Sequence, residues 1–204
     1  KDIRESLQAL GEPPIQCWWK VGKNGQFRRL DEGADELYLN VPGDLKFRFK
    51  PGQFIQVNGE INTKMVDQML RLVSPSSSGV AVDLFCGAGN LSLHLTKQFD
   101  QVIGVEGLNS LVAGAAQNAI ENEITTAQFF TADLTQKNSL NKIKEIPKSL
   151  DLVVLDPPRS GAIDIMHWVA KSGAKQVIYI SCHPSTMVRD AKHLLDAGYK
   201  IKDL

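Results

Sequence analysis

Cys182 is the residue with the most chemistry to offer. It stands between Tyr179-Ile180-Ser181 and His183-Pro184-Ser185-Thr186, where a strand gives way to a helix starting near Ser185. A thiol close to a helix N-terminus has its thiolate favoured by the helix dipole, which suits nucleophilic catalysis. The plainer alternative is a buried apolar cysteine capping the strand. Leu155-Asp156-Pro157-Pro158-Arg159-Ser160-Gly161 offers a carboxylate on backbone stiffened by two prolines, although Asp-Pro alone is a common turn. Val82-Asp83-Leu84-Phe85-Cys86-Gly87-Ala88-Gly89-Asn90 ends a strand and opens a helix. Gly87 and Gly89 permit dihedrals closed to other residues and let a ligand approach the backbone. The third glycine of a dinucleotide fingerprint is replaced by Ser92, so a pyrophosphate is not the expected ligand. Glu106 follows Val102-Ile103-Gly104-Val105, about 20 residues after the glycines, where an acid can accept from both ribose hydroxyls. Otherwise it is a solvated loop acid. Cys86 and Cys17 read as packing or structural residues, His183 as turn filling, and Trp18 and Trp19 as core of a small sheet before base stacking.

Those residues need elements to hold them. From residue 79 onward, near-continuous apolar runs alternate with amphipathic segments. Strands are expected at 80–85, 101–105, 127–131, 152–155 and 176–181, and helices at 90–97, 110–121, 164–171 and 185–197. That alternation predicts an α/β fold with a doubly wound, mostly parallel sheet covered on both faces. In such sheets ligands bind beyond the carboxyl ends of the strands, which is where the glycine turn, Glu106, Asp156 and Cys182 all fall. Before residue 50 the pattern is short and turn-rich, with an Asn24-Gly25 hairpin signal and runs flanking Pro42-Gly43-Asp44, so a small antiparallel β appendage is expected. Residues 54–58 read as extended, and 61–73 as a helix with Ile61, Met65, Met69 and Leu72 on one face. The expected division is a β-rich part over 1–50, a connecting strand, helix and serine-rich linker over 51–78, and a catalytic domain over 79–204.

Composition narrows the classes. Hydrophobic residues make up 43% of 204, enough for a real core, and 23 basic residues balance 23 acidic ones. No overall field therefore draws the chain onto nucleic acid, which disfavours a stand-alone RNA binder but not an enzyme with a local groove. No apolar run approaches a membrane span and no secretory signal opens the chain, so no membrane partner is expected. Three scattered cysteines fit a reducing cytoplasm, and no Cys or His cluster has metal-ligand spacing. The chain begins at Lys1 and stops after Tyr199-Lys200-Ile201, which reads like the opening of a strand, so a fragment is expected.

The Asp83-x-Phe85-x-Gly87-x-Gly89 turn with a strand-end acid resembles a class I methyltransferase, whose ligand is S-adenosylmethionine. Arg159 stands where amine-methylating enzymes usually carry an aromatic residue, which argues against N-methylation. Carbon-5 of a pyrimidine is a poor nucleophile, and thiolate addition at carbon-6 turns it into an enolate-like centre that can take a methyl group. Phe54-Ile55-Gln56-Val57-Asn58, the glycine turn, Val105-Glu106-Gly107, the Asp156 segment and Ser181-Cys182-His183-Pro184-Ser185-Thr186-Met187-Val188-Arg189-Asp190 together resemble the RNA (uracil-5-)-methyltransferase family. The Phe-Ile-Gln-Val-Asn form is most similar to its bacterial 23S ribosomal RNA branch. The resemblance implies Gln56, Phe85, Asn90, Glu106, Asp133 and Asp156 around the cofactor, joined by Asp83, Gly87 and Gly89 of the turn. It makes Cys182 the nucleophile with Asp156 beside it, and RNA, 23S ribosomal RNA foremost, the partner. His183 stands where the family usually has Asn. The family's N-terminal RNA-binding β-barrel, its iron–sulfur cysteines and its C-terminal His-x-Glu-Ser segment have no counterpart here. A cluster is therefore expected only in the full-length protein, and the 204 residues alone are expected to bind cofactor yet turn over poorly. Two other readings stay open. An RNA cytosine-5-methyltransferase usually has a second Cys where Arg159 stands, and a non-catalytic cofactor- or RNA-binding module would form no covalent adduct.

Overall fold

Four-residue apolar runs with no polar alternation have to be covered on both sides, and here they become the centre of a parallel sheet. The structure, a computed structural model, describes residues 18–20, 22, 25, 27–29, 37–56, 58–74 and 79–204. Cys17, Asn24, Val57 and residues 75–78 of the serine-rich stretch lie outside the described residues, as does the side chain of Trp19. In chain order the elements are β1 (Trp18–Lys20), β2 (Phe27–Arg29), β3 (Leu37–Val41), β4 (Leu45–Phe49), α1 (Gly59–Leu72), β5 (Val80–Leu84) and α2 (Asn90–Leu95). There follow β6 (Gln101–Glu106), α3 (Asn109–Glu121), β7 (Ala127–Thr131), β8 (Leu152–Leu155), α4 (Ile163–Lys171), β9 (Gln176–Tyr179) and α5 (Pro184–Asp196).

The main sheet of the described residues has the order β7-β6-β5-β8-β9, with every neighbouring pair parallel. Successive residues of a strand face opposite sides, and the core divides accordingly. Val82, Leu84, Ile103, Val105, Val153 and Leu155 pack with Ile165, Met166 and Val169 of α4 and Leu194 of α5. Ala81, Val102, Leu152, Val154 and Ile178 pack on the other face with Val66 and Met69 of α1 and Leu91 and Leu95 of α2. Each fully buried Val, Leu or Ile contributes about 1.5–3 kcal/mol, so these two layers fix the strand ends that carry the site. The doubly wound parallel architecture expected from the sequence is the one observed. No helix among the described residues is long and apolar enough to cross a membrane.

The first fifty residues depart from expectation in one respect. Among the described residues they form two separate antiparallel ribbons, β1–β2 and β3–β4, and not one small sheet. The reason lies at β4, whose outer edge docks on side chains of α3. Arg48 N–H donates to Asn118 Oδ1 at 2.8 Å and Lys46 N–H to Asn122 Oδ1 at 2.9 Å, while Asn122 Nδ2 donates back to Lys46 O at 2.8 Å. Two amides one helical turn apart thus complete a strand ladder. Leu45 and Phe47 bury against Leu93 and Ala119 behind it.

Four smaller expectations are corrected. Helix α1 turns a different face inward: Asn62, Val66 and Met69 are buried, whereas Ile61 is 57% exposed. Strand β9 stops at Tyr179 because Ser181 Oγ bonds to the backbone of His183 and turns the chain. Residues 54–56 and 58 pair with no strand among the described residues, and Asn58 caps α1 through Ile61 N–H at 3.0 Å. Tyr199 opens no strand; its hydroxyl donates to Ala174 O at 2.8 Å.

Candidate active site

Four adjacent strands deliver their ends to one edge. Glu106 closes β6, the glycine turn follows β5, Asp156 follows β8, and Cys182 lies beyond β9. Strands are about 4.8 Å apart, so the distance from the glycine turn to the cysteine turn is on the order of two strand spacings.

The turn after β5 is held by backbone. Phe85 N–H and Cys86 N–H both donate to Val105 O, at 2.9 and 3.2 Å. Phe85 has φ 66°, Gly87 φ 55° and Gly89 φ 93°. The two glycines have different tasks. A Cβ on Gly87 would meet nothing within 4 Å, so that backbone is open to the cavity. A Cβ on Gly89 would lie at ordinary contact distance, 3.4 Å from Ala115 and 3.5 Å from Leu93 and Phe129, so it is the left-handed φ that calls for glycine there. Cys86 is buried with Sγ 3.7 Å from Gly87 O, and burial above all pushes its thiol up, which leaves it a packing residue.

Carboxylates dominate the wall. Glu106 Oε1 accepts Gly107 N–H at 2.8 Å and Leu108 N–H at 3.1 Å, and Oε2 accepts Gly87 N–H at 3.2 Å. A carboxylate has about four acceptor positions, so Oε2 is left as the freer oxygen. Asp83 is fully buried; its Oδ2 accepts Ser92 Oγ–H at 2.5 Å, and Oδ1 has no hydrogen-bond partner. Burial, with the charges of Asp156 and Glu106, pushes Asp83 up to about 7 against the lowering hydrogen bond from Ser92. Burial also raises Asp156. Acids crowded in this way favour a cationic ligand, because a neighbouring positive charge relieves their mutual repulsion.

These groups share a cavity of about 660 Å³, lined by Gln56, Asp83, Phe85, Gly87, Asn90, Glu106, Asp156 and Cys182 among others. That volume suits a nucleoside-sized ligand. Cys182 is exposed at its edge, with Phe54, Pro157 and Arg159 also contributing. Asn90 is tied to Asn62 of α1 by reciprocal amide bonds, Nδ2 to Oδ1, at 2.7 and 3.1 Å. His183 is exposed, and its backbone carbonyl accepts Thr186 Oγ1–H at 3.0 Å, a local turn contact.

The structure does not bring Asp133 into this cavity. It lies past β7 on a neighbouring hollow of about 870 Å³, where its Oδ1 accepts Thr135 N–H at 2.9 Å and Thr135 Oγ1–H at 2.6 Å. Those bonds hold its carboxyl below the ordinary range. The larger hollow contains neither the glycine turn nor the thiol, so the smaller cavity is the better candidate for chemistry.

Sequence reading missed three polar residues that build the site. Asn62 could have been found from the 62–66–69–73 stripe, whose first member is polar among apolar neighbours. Asn118, fully buried, donates Nδ2–H to Ala88 O at 3.0 Å and so joins the glycine turn to β4. Asp190 is buried beside the cysteine turn. For the last two, nothing local in the sequence marks the partner.

Comparison with known proteins agrees with this picture. The family model described as tRNA (Uracil-5-)-methyltransferase matches residues 29–204. The 23S rRNA (uracil(1939)-C(5))-methyltransferase RlmD of Pseudomonas putida is 37% identical over 196 residues, covering 96% of this chain and 43% of the relative. That of Stenotrophomonas maltophilia is 42% identical over 203 residues, covering 93% of this chain and 45% of the relative. The chain thus spans under half the length of these curated relatives. Among solved structures, Pyrococcus abyssi tRNA (uracil-54, C5)-methyltransferase in complex with S-adenosyl-L-homocysteine aligns with a TM-score of 0.72 at 23% identity, over 88% of this chain and 44% of that one. M. jannaschii TYW2 in complex with AdoMet aligns with a TM-score of 0.64 at 16% identity, over 87% of this chain and 80% of that one. At such identities the structural likeness shows the fold.

Proposed function

The chain belongs to the tRNA (uracil-5-)-methyltransferase family, and from that premise we propose that it serves S-adenosylmethionine-dependent methylation of carbon-5 of a uridine in RNA, with 23S ribosomal RNA as the substrate. The observation that carries the reading is the exposed Cys182 on the rim of the cavity that holds the glycine turn and three carboxyl groups. The organisation this implies is a β-rich part to residue 50, a connecting part over 51–78 and a catalytic part over 79–204, acting in the cytoplasm.

The residues present fit the cofactor. Asp83 Oδ1, buried and unpartnered, and the carboxylates of Glu106 and Asp156 suit a ligand that carries sulfonium and ammonium charge. Glu106 Oε2 is the acceptor for a ribose hydroxyl, Gly87 leaves room against the backbone, and Gln56, Phe85 and Asn90 complete the wall. When bound, S-adenosylmethionine supplies an electrophilic methyl group. The thiolate of Cys182 adds to carbon-6 of the pyrimidine, a carbon–sulfur bond forms, and the ring π electrons move toward O4 through carbon-5. Asp156, whose carboxyl burial raises, lines the same cavity as the thiol. Carbon-5 would then take the methyl group as the methyl–sulfonium bond breaks to leave a neutral thioether; a base takes the carbon-5 proton, and the returning electrons expel the thiolate. Asp133 is kept as a peripheral cofactor candidate, since it stands at the end of a strand next to that of Glu106.

The test uses the whole protein and RNA containing 5-fluorouridine, whose carbon-5 has no proton to lose. A denaturation-resistant adduct should form with S-adenosylmethionine and disappear in Cys182→Ala, with cofactor affinity changed by less than about twofold. An adduct that persists in Cys182→Ala sinks the mechanism. Transfer to cytidine in place of uridine would move the protein to the cytosine-5 class.

A further inference from the structure

One carboxylate touches every segment that flanks the nucleophile. Asp190 lies in α5, is fully buried, and uses both oxygens. Its Oδ2 accepts Tyr179 O–H at 2.7 Å and Ala162 N–H at 2.6 Å. Its Oδ1 faces Arg189, whose Nε donates at 2.9 Å and whose Nη2 lies 2.8 Å away. Arg189 Nη2 also donates to Ser160 O at 2.8 Å. Tyr179 is the last residue of β9, three before Cys182, and Asp190 is eight after it. The turn bearing the thiol is therefore pinned at both ends to the same side chain. Ser160 and Ala162 belong to the loop that leaves Asp156, so the acid's loop is tied to the same point. Thr186 Oγ1 also lies within hydrogen-bond distance of Arg159 O, at 3.2 Å.

Two further features fit a clamp. Gly161 has φ +78°, and a Cβ there would stand 2.5 Å from Asp190 Oδ2 and 2.6 Å from Arg189 Nη2, so the loop is shaped for the carboxylate's approach. Burial and the bond to Asp190 hold the Tyr179 phenol above its ordinary range, which keeps it a donor.

We propose that Asp190 is a positioning residue, locking the Cys182 turn and the Asp156 loop into one rigid unit so that thiol and acid meet the pyrimidine together. The proposal rests on the uridine-methylating reading. Asp190 reaches neither reacting atom; it acts through the two loops. Because a displacement of about 1 Å at a reacting group can cost roughly 100-fold in rate, a clamp of this kind is felt in the chemical step and not in binding.

The experiment measures the rate of the Cys182 adduct with 5-fluorouridine RNA in the whole protein under single-turnover conditions. Asp190→Asn keeps the shape but replaces an acceptor with a donor opposite N–H and O–H groups. Adduct formation should slow roughly 10- to 100-fold. S-adenosylmethionine affinity, RNA affinity and alkylation of Cys182 by iodoacetamide should each stay within about twofold. Tyr179→Phe removes one of the bonds to Asp190 Oδ2 and should slow the adduct in the same direction by a smaller factor. Asp190→Asn reacting at the native rate overturns the proposal, as does a loss of cofactor affinity that parallels the loss of rate, which is a merely structural role. Should Asp190→Asn fail to fold, Tyr179→Phe decides: slower adduct with native affinities supports the clamp, and native adduct rate overturns it. Absence of an adduct in the native protein would instead refute the proposed function, separating the two failures.

Discussion

At the scale of single residues, Asp83 gives the sharpest solution test. Its carboxyl is buried beside two others and has a folded pKa of about 7 against an ordinary 3.8. The folded chain therefore holds a proton that the unfolded chain gives up. The stabilisation is complete below about pH 4 and is lost as pH climbs toward 7, where the charged acid costs the fold on the order of a few kcal/mol. Asp83→Asn should flatten that slope. Urea unfolding at about pH 5 and pH 8 checks it; an unchanged slope in the variant would mean that another group titrates. Residue identity was readable where a short motif sets the position. Glu106, Asp156, Gln56 and Cys182 do share one cavity. Asp133 does not line it, because the chain after β7 bends the carboxyl back onto Thr135, a local bond no spacing rule foresees. Asn62 is not legible from apolar spacing alone, which points to Ile61, whereas the buried stripe runs through Asn62, Val66 and Met69.

At the scale of elements, strands with continuous apolar character were the most legible. The ranges 127–131 and 152–155 are those of β7 and β8, and 80–85 overshoots β5 by one residue. Ends were less so, since Ser181 turns the chain with its own hydroxyl after β9. The docking of β4 on α3 was invisible, because its ladder is completed by side chains some seventy positions away. Asn118 is the more buried amide of that junction and also ties it to the glycine turn. Asn118→Ala would remove the bonds to Arg48 N–H and Ala88 O, each worth about 1–3 kcal/mol when buried. We expect a stability loss of roughly 2–4 kcal/mol in denaturant unfolding, and a weaker grip on cofactor because Ala88 belongs to the glycine turn. Asn122→Ala loses bonds that are more exposed and should cost less. Equal losses for the two variants would contradict this ranking.

For the whole molecule, formal charge is zero while acids concentrate at one cavity, so attraction for a cation is local and not a property of net charge. A ligand that binds only the folded chain stabilises it by about 2.7 kcal/mol at 100 times Kd. For a protein of this size S-adenosylmethionine should then raise Tm by roughly 5–10 °C. Absence of a shift at saturating cofactor would remove the cofactor from the reading, whatever the family. The strand order has a last consequence. Since β5, β8 and β9 are neighbours while about a hundred residues of chain separate the glycine turn from Cys182, no local stretch can hold the whole site. Each parallel pairing must close a long loop before it is rewarded, so the contact order is high and folding is slow beside that of a helical bundle of equal length. A chain emerging from synthesis therefore cannot bring Cys182 to the rim of the cavity until β9 has paired with β8, so the site is completed late.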